Sequence, residues 1–415
     1  MFPAISRLSI AQKFAALKMS SPLINAASDV KWRIWPTVQK ATASRTDIDR
    51  LNTALAKDVR HRIGISLLDG ISLEHTRGLA TELDESKTML PILVGVRAMT
   101  NGKGELAAYL RQRRTIDENR AVFFFPWIKN LSIEVLFDSS VTRFPTPKTC
   151  KRILYAHGMA GLNFAKNSEA VTLVKYYDAL FLNGPMHRRA LEIAAHSHGV
   201  RLPTMYDIGY LRGDRLRLLS HAFDRKAFAD RHALDAGPIV TYAPTWGEFS
   251  STKDWIETTI AVCESLGVNL FLRLHPSIFQ SKSWYWTGGV NWTAALADLT
   301  AKTRRVRIST GQSIDELLLA SDLLITDVSG LGPEFLSLEK PVVFLPAEKF
   351  FNLFGRDRAE MWCRDQPEPT NAIELRAAIV DALAGQRSRM PVETLVYNKG
   401  RSPEAAMRAI ESLLG

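Results

Sequence analysis

After residue 60 the sequence alternates between short apolar runs and segments with helical spacing. The apolar runs stand at residues 63–68, 90–96, 121–127, 152–156 and 179–182. Helical patterns between or after them include residues 104–113 and 186–198. Continuous apolar strands are typical of a parallel sheet that is buried on both faces and connected by helices. This part of the chain is therefore predicted to form an α/β domain with a mainly parallel sheet.

The segment LDAGP, at residues 234–238, interrupts the pattern, which then starts again more clearly. Strands are predicted at 239–243, 269–274, 306–308, 323–326 and 341–345, and helices at 255–266, 314–320, 333–338, 372–383 and 403–414. We predict a basic helical extension over residues 1–60, Rossmann-like domains over 61–235 and 236–390, and a C-terminal helix over 391–415 that packs back on the domains. In such sheets ligands bind beyond the carboxyl ends of the strands, here in a cleft between the two halves.

The composition is that of a packed protein and excludes several other classes. Of the 415 residues 46% are hydrophobic and 23% are charged, which are ordinary values. The three cysteines, Cys150, Cys263 and Cys363, are too far apart for a disulfide framework or a metal-binding motif. They predict reduced thiols and a cytoplasmic location. No stretch reaches eighteen apolar residues, so the sequence predicts no membrane-spanning helix.

The chain is basic, with 53 Lys and Arg against 43 Asp and Glu and a net charge of +10. In residues 1–60 basic side chains are mixed with apolar ones at helical spacing. This pattern fits a packed amphipathic helix, or a helix that rests on an anionic membrane surface. A nucleic-acid-binding protein also fits the net charge, but the sequence contains no recognition module and the basic residues are spread along the chain.

The most informative segment is SDLLITDVSGLGPEFLSLEKPVVFL, at residues 321–345. A predicted strand ends at Asp327, a small-residue turn follows with Ser329 and Gly330, and a helix opens at Gly332. Free N–H groups and the positive dipole end make the start of a helix a site for anions. Ser329 and the backbone amides near Gly330 and Gly332 are therefore predicted to bind a phosphate or diphosphate, and Asp327, at the strand end, is predicted to contact the substrate. The alternative is a plain strand–turn–helix in which Ser329 is only a cap.

Two histidines end predicted strands, one in each half of the chain. His157 lies in YAHGMAGLNFAK, and His275 lies in LRLHP two residues after Arg273. Thr245, in TYAPTW, ends the first strand of the second half. Because strand ends face the cleft, the two histidines are candidates for proton transfer and phosphate stabilisation, and Arg273 and Thr245 are candidates for ligand contacts. Buried or surface side chains with purely structural roles are the alternative.

Several common catalytic motifs do not occur in the sequence. It contains no GxxxxGK[ST] phosphate loop and no HExxH, GxSxG or CxxC. One Asp-x-Asp pair, Asp47 and Asp49, precedes the first predicted strand and indicates a solvated helix start. We therefore predict a metal-independent mechanism that uses no cofactor.

The motifs TYAPTW, LRLHP and SDLLITDVSGLGPEFLSLEKPVVFL, in this order and spacing, resemble the CDP-glycerol glycerophosphotransferase family of teichoic-acid primases and polymerases. YAHGMAGLNFAK is similar to the first His-Gly motif of that family. The resemblance implies a glycosyltransferase-B-like fold, with two facing Rossmann-like domains and the nucleotide in the second. It implies metal-independent transfer of glycerol phosphate from CDP-glycerol to a hydroxyl of a lipid-linked or polysaccharide acceptor. It also implies a peripheral location at the inner face of the plasma membrane.

By position, the two functional histidines of the family correspond to His157 and His275. In the mechanism implied by the resemblance, His157 is the general base on the acceptor hydroxyl. His275 and Arg273, with the helix start at Ser329, hold the charge that develops on the leaving CMP. Glu334 accepts hydrogen bonds from the ribose hydroxyls.

The chain departs from the family pattern at positions that would line the donor site. Gly247 stands where the family usually has arginine, Glu334 replaces an aspartate, and Asp327 is followed by Val-Ser-Gly and not by Tyr-Ser-Ser. A glycosyltransferase or sugar-nucleotide epimerase of the same fold, with a UDP-, GDP- or CMP-activated sugar, is therefore the alternative function.

Overall fold

The computed structural model describes most of the chain from residue 49 onward. The described residues are 49, 52–53, 55–67, 70–95, 121–122, 127–139, 146–155, 158, 168–275, 277–280, 287–301, 303–309, 314–354, 368–386 and 392–415. Residues 1–48, the predicted helix at 104–113, and His157 lie outside them.

A seven-stranded parallel sheet forms the first half of the chain. Its strand order is β3-β2-β1-β4-β5-β6-β7, and every described pairing is parallel. The inner strands are buried on both faces, which is why they occur as short apolar runs in the sequence. The strands are β1 (His61–Leu67), β2 (Met89–Gly95), β3 (Ala121–Val122), β4 (Val135–Asp138), β5 (Lys151–Leu154), β6 (Ala179–Leu182) and β7 (Thr204–Asp207).

The second half forms a five-stranded parallel sheet with the equivalent order, β10-β9-β8-β11-β12. In both sheets the chain starts in the middle, builds outward to one side and then crosses to the other, as in Rossmann folds. The prediction of two Rossmann-like α/β domains is confirmed. The strands are β8 (Ile239–Tyr242), β9 (Asn269–Leu272), β10 (Val306–Ile308), β11 (Leu323–Thr326) and β12 (Val342–Phe344).

Twelve α-helices accompany the two sheets within the described residues. None of these helices is long and apolar enough to cross a membrane. The helices are α1 (Gly70–Glu85), α2 (Pro185–His198), α3 (Leu211–Ser220), α4 (Arg225–Arg231), α5 (Thr252–Ser265), α6 (Ser277–Gln280), α7 (Trp292–Thr300), α8 (Ile314–Ala320), α9 (Leu331–Ser337), α10 (Glu348–Phe354), α11 (Ala372–Leu383) and α12 (Ser402–Leu414).

Two strands of the first sheet were not predicted from the sequence, for different reasons. β4 lies between β1 and β5 and is fully buried, but only three of its four residues are apolar. β7 is the edge strand, and none of its four side chains is fully buried. A short run and an exposed edge both give a weak hydrophobic signal.

Helix α3 joins the two halves of the molecule. Leu211, at its start, belongs to the core under the first sheet, whereas Leu216 belongs to a core that includes β11 and β12. The next helix, α4, already packs on the second sheet through Phe228 and Phe271. The predicted domain boundary between residues 235 and 236 stays a prediction.

The C-terminal part of the chain runs back to the first sheet. Two glycines make room for it, because a Cβ on Gly184 would lie 1.7 Å from the Leu395 carbonyl oxygen and one on Gly209 would lie 2.2 Å from that of Tyr397. Gly209 also has φ +100°, which favours glycine. Helix α12 then packs its apolar face on α1 and the core of the first sheet.

Candidate functional site

The predicted site residues of the second half follow three adjacent strands. Thr245 comes after β8, Arg273 and His275 come after β9, and Asp327 and Ser329 come after β11. These strands are neighbours in the order β9-β8-β11, and all three are parallel, so their carboxyl ends meet at one edge of the sheet. The structure therefore brings the three predicted segments together at the edge where α/β folds bind ligands.

Asp327 connects two of these segments. Its carboxylate is buried, and it accepts hydrogen bonds from the backbone N–H groups of Thr245 at 2.7 Å and of Ser251 at 2.8 Å. Hydrogen bonds of this kind to an ionised group are about twice as strong as neutral ones. Asp327 thus fixes the connection between β8 and α5 against the end of β11. Its contact with substrate stays a prediction.

His275 lies on the side of the site next to the end of β8, and Arg273 extends to the side next to β10. The ring of half-buried His275 is 6.3 Å from the ring of Trp246, centroid to centroid. The Arg273 guanidinium reaches away from β11 and donates through Nη1 to the Ser309 carbonyl at 3.1 Å and to its hydroxyl at 3.2 Å. Ser309 directly follows β10, so the structure places this cation at the β9–β10 side of the cleft.

The glycines of the turn between β11 and α9 have different surroundings. Gly330 has φ −60°, and a Cβ added there would meet no atom within 4 Å. A Cβ on Gly332 would lie 2.8 Å from Cε1 of Phe344. Gly330 and the half-exposed Ser329 are therefore open to a ligand, whereas Gly332 allows helix α9 to pack closely on β12. The hydroxyl of Ser329 accepts from the Leu331 N–H at 3.4 Å.

Glu334, on the first turn of α9, is buried and makes an ion pair. Its Oε2 accepts from Nη1 of Arg212 at 2.7 Å, and Arg212 also donates to Asp315 Oδ1 at 2.8 Å through Nη2. All three side chains are at most 6% exposed. Sequence reasoning did not identify Arg212 or Asp315 as functional residues. Nothing in the sequence separates Arg212 from the other basic residues of its helix, since its partners are 103 and 122 residues away.

In the first half the structure describes the residue after His157 but not His157 itself. Gly158 has φ +86°, and its carbonyl accepts from Nδ2 of buried Asn183 at 2.9 Å. Asn183 follows β6, so its side chain fixes the Gly158 carbonyl at the carboxyl edge of the first sheet.

A buried ion pair also lies at this edge of the first sheet. Asp138 ends β4, and its Oδ2 is 2.6 Å from Nη2 of Arg152 on β5. Burial raises the pKa of Asp138, and the neighbouring guanidinium opposes this shift. Asp138 was not predicted as a site residue because its strand, β4, was not predicted from the sequence.

No group of three or more His, Cys, Asp and Glu side chains in the described part of the chain is arranged to hold a metal ion.

Comparisons with solved structures support the fold. The wall teichoic acid polymerase TagF is similar with a TM-score of 0.57 and 15% identity, over 98% of this chain and 99% of that one. A putative UDP-N-acetylglucosamine 2-epimerase from Listeria monocytogenes has a TM-score of 0.55 and 12% identity, over 86% and 96% of the two chains. The UDP-GlcNAc 2-epimerase from Neisseria meningitidis, bound to UDP-GlcNAc, has a TM-score of 0.52 and 11% identity, over 85% and 99%. The glycosyltransferase-B-like fold is confirmed.

No curated protein sequence matches this chain. The family model of CDP-Glycerol:Poly(glycerophosphate) glycerophosphotransferase matches residues 159–351, a range that begins two residues after His157 and contains the three strand ends described above. This match confirms the resemblance stated from the motifs and the prediction of a transferase enzyme. Over these residues, the chain is similar to the CDP-Glycerol:Poly(glycerophosphate) glycerophosphotransferase family.

Proposed function

We propose that the protein transfers glycerol phosphate from CDP-glycerol to a hydroxyl group of a cell-envelope polymer or its lipid-linked precursor. The acceptor oxygen attacks the phosphorus that carries the glycerol, the bond from that phosphorus to the CMP oxygen breaks, and CMP leaves. The supporting observation is that the family match spans three segments that meet at the carboxyl ends of β8, β9 and β11. A crystal of a TagF variant was soaked with CDPG, which supports a CDP-activated donor for this chain.

The proposed roles follow the position of each residue. His157 takes the proton of the acceptor hydroxyl as general base, which is typically worth about 10²–10⁴-fold in rate. Ser329 and Gly330 bind the donor diphosphate on the open side of their turn, and His275 and Arg273 stabilise the charge on the leaving CMP. Glu334 accepts from the ribose. Positioning and electrostatic stabilisation carry most of the catalysis in phosphoryl transfer, and the proposal includes no metal ion.

The proposed acceptor determines the proposed location. A lipid-linked acceptor would require the protein to work at the inner membrane surface, and the basic residues 1–60 would hold it there. Each basic residue near an anionic surface contributes about 1 kcal/mol of binding.

A sugar-nucleotide reaction is the second candidate, and the similarity to two UDP-N-acetylglucosamine 2-epimerases favours it. The departures from the family pattern at Gly247 and at the turn after Asp327 follow β8 and β11, which are neighbouring strands.

A donor panel separates the two candidates. The melting temperature is measured with CDP-glycerol, CDP, UDP-N-acetylglucosamine and GDP-mannose, since a ligand at about 100 times its Kd stabilises the native state by about 2.7 kcal/mol. The proposal predicts stabilisation by CDP and CDP-glycerol and release of CMP when an acceptor is added. Stabilisation by UDP-N-acetylglucosamine alone would favour the second candidate, a sugar-nucleotide reaction.

A further inference from the structure

The loop between β8 and α5, residues 246–250, runs along the carboxyl edge of the second sheet. At its start the ring of Trp246 lies 6.3 Å from the ring of His275, which follows β9. Near its end the ring of Phe249 lies 6.2 Å from the ring of Phe350 on α10, which follows β12. Because β11 lies between β8 and β12, a loop with these contacts passes the carboxyl end of β11. It therefore lies beside the turn to which the proposed function assigns the donor diphosphate.

Asp327 holds both ends of this loop. Its Oδ1 accepts from the backbone N–H of Thr245 at 2.7 Å, and its Oδ2 accepts from the backbone N–H of Ser251 at 2.8 Å. These three residues are buried, whereas residues 246–250 are half-buried. The carboxylate thus closes the loop at its base and leaves the middle of the loop partly exposed.

This bridge spans the point where the strand order of the sheet reverses. The chain runs from β8 outward to β9 and β10 and then returns to β11 on the other side of β8. The crevice in which such folds bind ligands therefore lies between the ends of β8 and β11. Asp327 directly follows β11, and its hydrogen bonds reach across to the segment after β8. A ligand above this crevice meets the loop that Asp327 holds.

Direct contact with the diphosphate explains this carboxylate poorly. A carboxylate and a phosphate are both negative, so they repel each other at close range. Both oxygens of Asp327 already accept from backbone N–H groups, and hydrogen bonds to an ionised acceptor are short and strong. The position of the side chain is better explained by the backbone that it holds.

We propose that Asp327 is a positioning residue, which holds residues 246–250 as one wall of the donor site without touching the donor. This role takes the place of the substrate contact expected from the sequence. The inference rests on the proposed function, because that function places the diphosphate at the turn of Ser329 and Gly330 beside the loop. Without the bridge the loop takes up other conformations, and the affinity for the donor falls with the fraction of molecules in which the loop is in place.

Asp327→Asn tests the bridge with a side chain of nearly the same size. The amide oxygen can still accept one hydrogen bond, but the amide NH₂ group donates and cannot accept from the second N–H. The Kd of CDP-glycerol, measured by calorimetry on the whole chain, should rise about tenfold or more. Amide hydrogen exchange over residues 245–251, measured by mass spectrometry, should become about ten- to a hundredfold faster.

Asp322→Asn is the matched control, because Asp322 makes the same kind of bond at the opposite edge of the sheet. Asp322 directly precedes β11, and its Oδ2 accepts from the N–H of Ile239, at the start of β8, at 2.8 Å. This variant should lose stability, while the Kd of CDP-glycerol and the exchange of residues 245–251 stay within about twofold of the wild type.

Hydrogen exchange in the wild type gives a test that needs no variant. Bound CDP-glycerol should slow the exchange of residues 246–250. A loop that bound CDP-glycerol leaves unprotected would overturn the proposal, and so would faster loop exchange in Asp327→Asn with an unchanged Kd. Weaker binding in Asp327→Asn with unchanged loop exchange would also overturn it, since Asp327 would then contact the donor itself. A wild type that does not bind CDP-glycerol at all would instead refute the proposed function on which this inference rests.

Discussion

A single carboxylate placed at Gly330 tests the proposed diphosphate site. A Cβ at this position meets no atom within 4 Å, and its φ of −60° suits any residue. Gly330 is also the N-cap of α9, where Asp is slightly better than Gly. Gly330→Asp should therefore fold with a stability within about 0.5 kcal/mol of the wild type.

The expected effect on binding follows from Coulomb's law. At about 5 Å and an effective dielectric constant of about 20, each pair of like charges costs about 3 kcal/mol. Repulsion between the new carboxylate and the diphosphate should thus weaken CDP-glycerol binding by about a hundredfold or more. Calorimetric titration with CDP-glycerol measures this change, and thermal unfolding without ligand measures the stability.

Two control variants make the result specific. Gly330→Asn has nearly the same shape without the charge, so it should lose far less affinity than Gly330→Asp. Gly332→Ala should show the reverse pattern, in which the stability falls and CDP-glycerol binding is largely kept. The reason is that its Cβ would lie 2.8 Å from Phe344. Overpacking of this kind costs about 1–3 kcal/mol of stability. Unchanged CDP-glycerol binding in Gly330→Asp would show that the diphosphate does not lie at this turn.

Further predictions concern the histidines and the N-terminal region. His157→Ala should lower turnover by about 10²–10⁴-fold with nucleotide binding nearly intact, whereas His275→Ala should lower both turnover and nucleotide binding. The opposite pattern in single-turnover and binding assays would reverse the two roles. If neither variant changed turnover by more than about tenfold, the two histidines would be structural. Burial lowers the pKa of His187 to about 4, so the unfolded chain binds a proton that the native state does not between about pH 6.5 and 4. The free energy of unfolding should fall by about 3 kcal/mol as the pH is lowered through this window. In His187→Asn, urea unfolding should show a smaller fall over the same window. If the variant kept the wild-type pH profile, the fall would be due to other groups. Deletion of residues 1–60 should abolish salt-sensitive pelleting with anionic vesicles, and equal pelleting of the shortened protein would refute a membrane role for this segment.

The sequence predicts the sheets better than it predicts the contacts between them. Runs such as those of β6 and β11 are recognisable because both faces are buried and nearly every residue is apolar. The same signal fails at β7, whose side chains are not fully buried. The motif residues at the ends of β8, β9 and β11 were found because turns and strand ends leave a local pattern in the sequence.

The parts of the site that depend on distant residues could not be predicted in this way. Arg212 and Asp315 meet across 103 residues, and neither has a local pattern that marks it as buried. Asp327 was predicted to contact substrate, but only the structure shows that both of its oxygens accept backbone hydrogen bonds from the β8–α5 connection. The roles of the glycines likewise depend on what lies opposite, since Gly330 faces open space and Gly332 faces Phe344.

The most direct test of the proposed reaction follows both products of one turnover. The protein is incubated with CDP-glycerol and a lipid that ends in glycerol phosphate, with and without EDTA, while released CMP and glycerol phosphate on the acceptor are quantified. We predict equal molar amounts of the two products, at the same rate with EDTA, and loss of both in Gly330→Asp. CMP release without a modified acceptor, or turnover only with a UDP-activated sugar, would contradict glycerophosphate transfer by this protein.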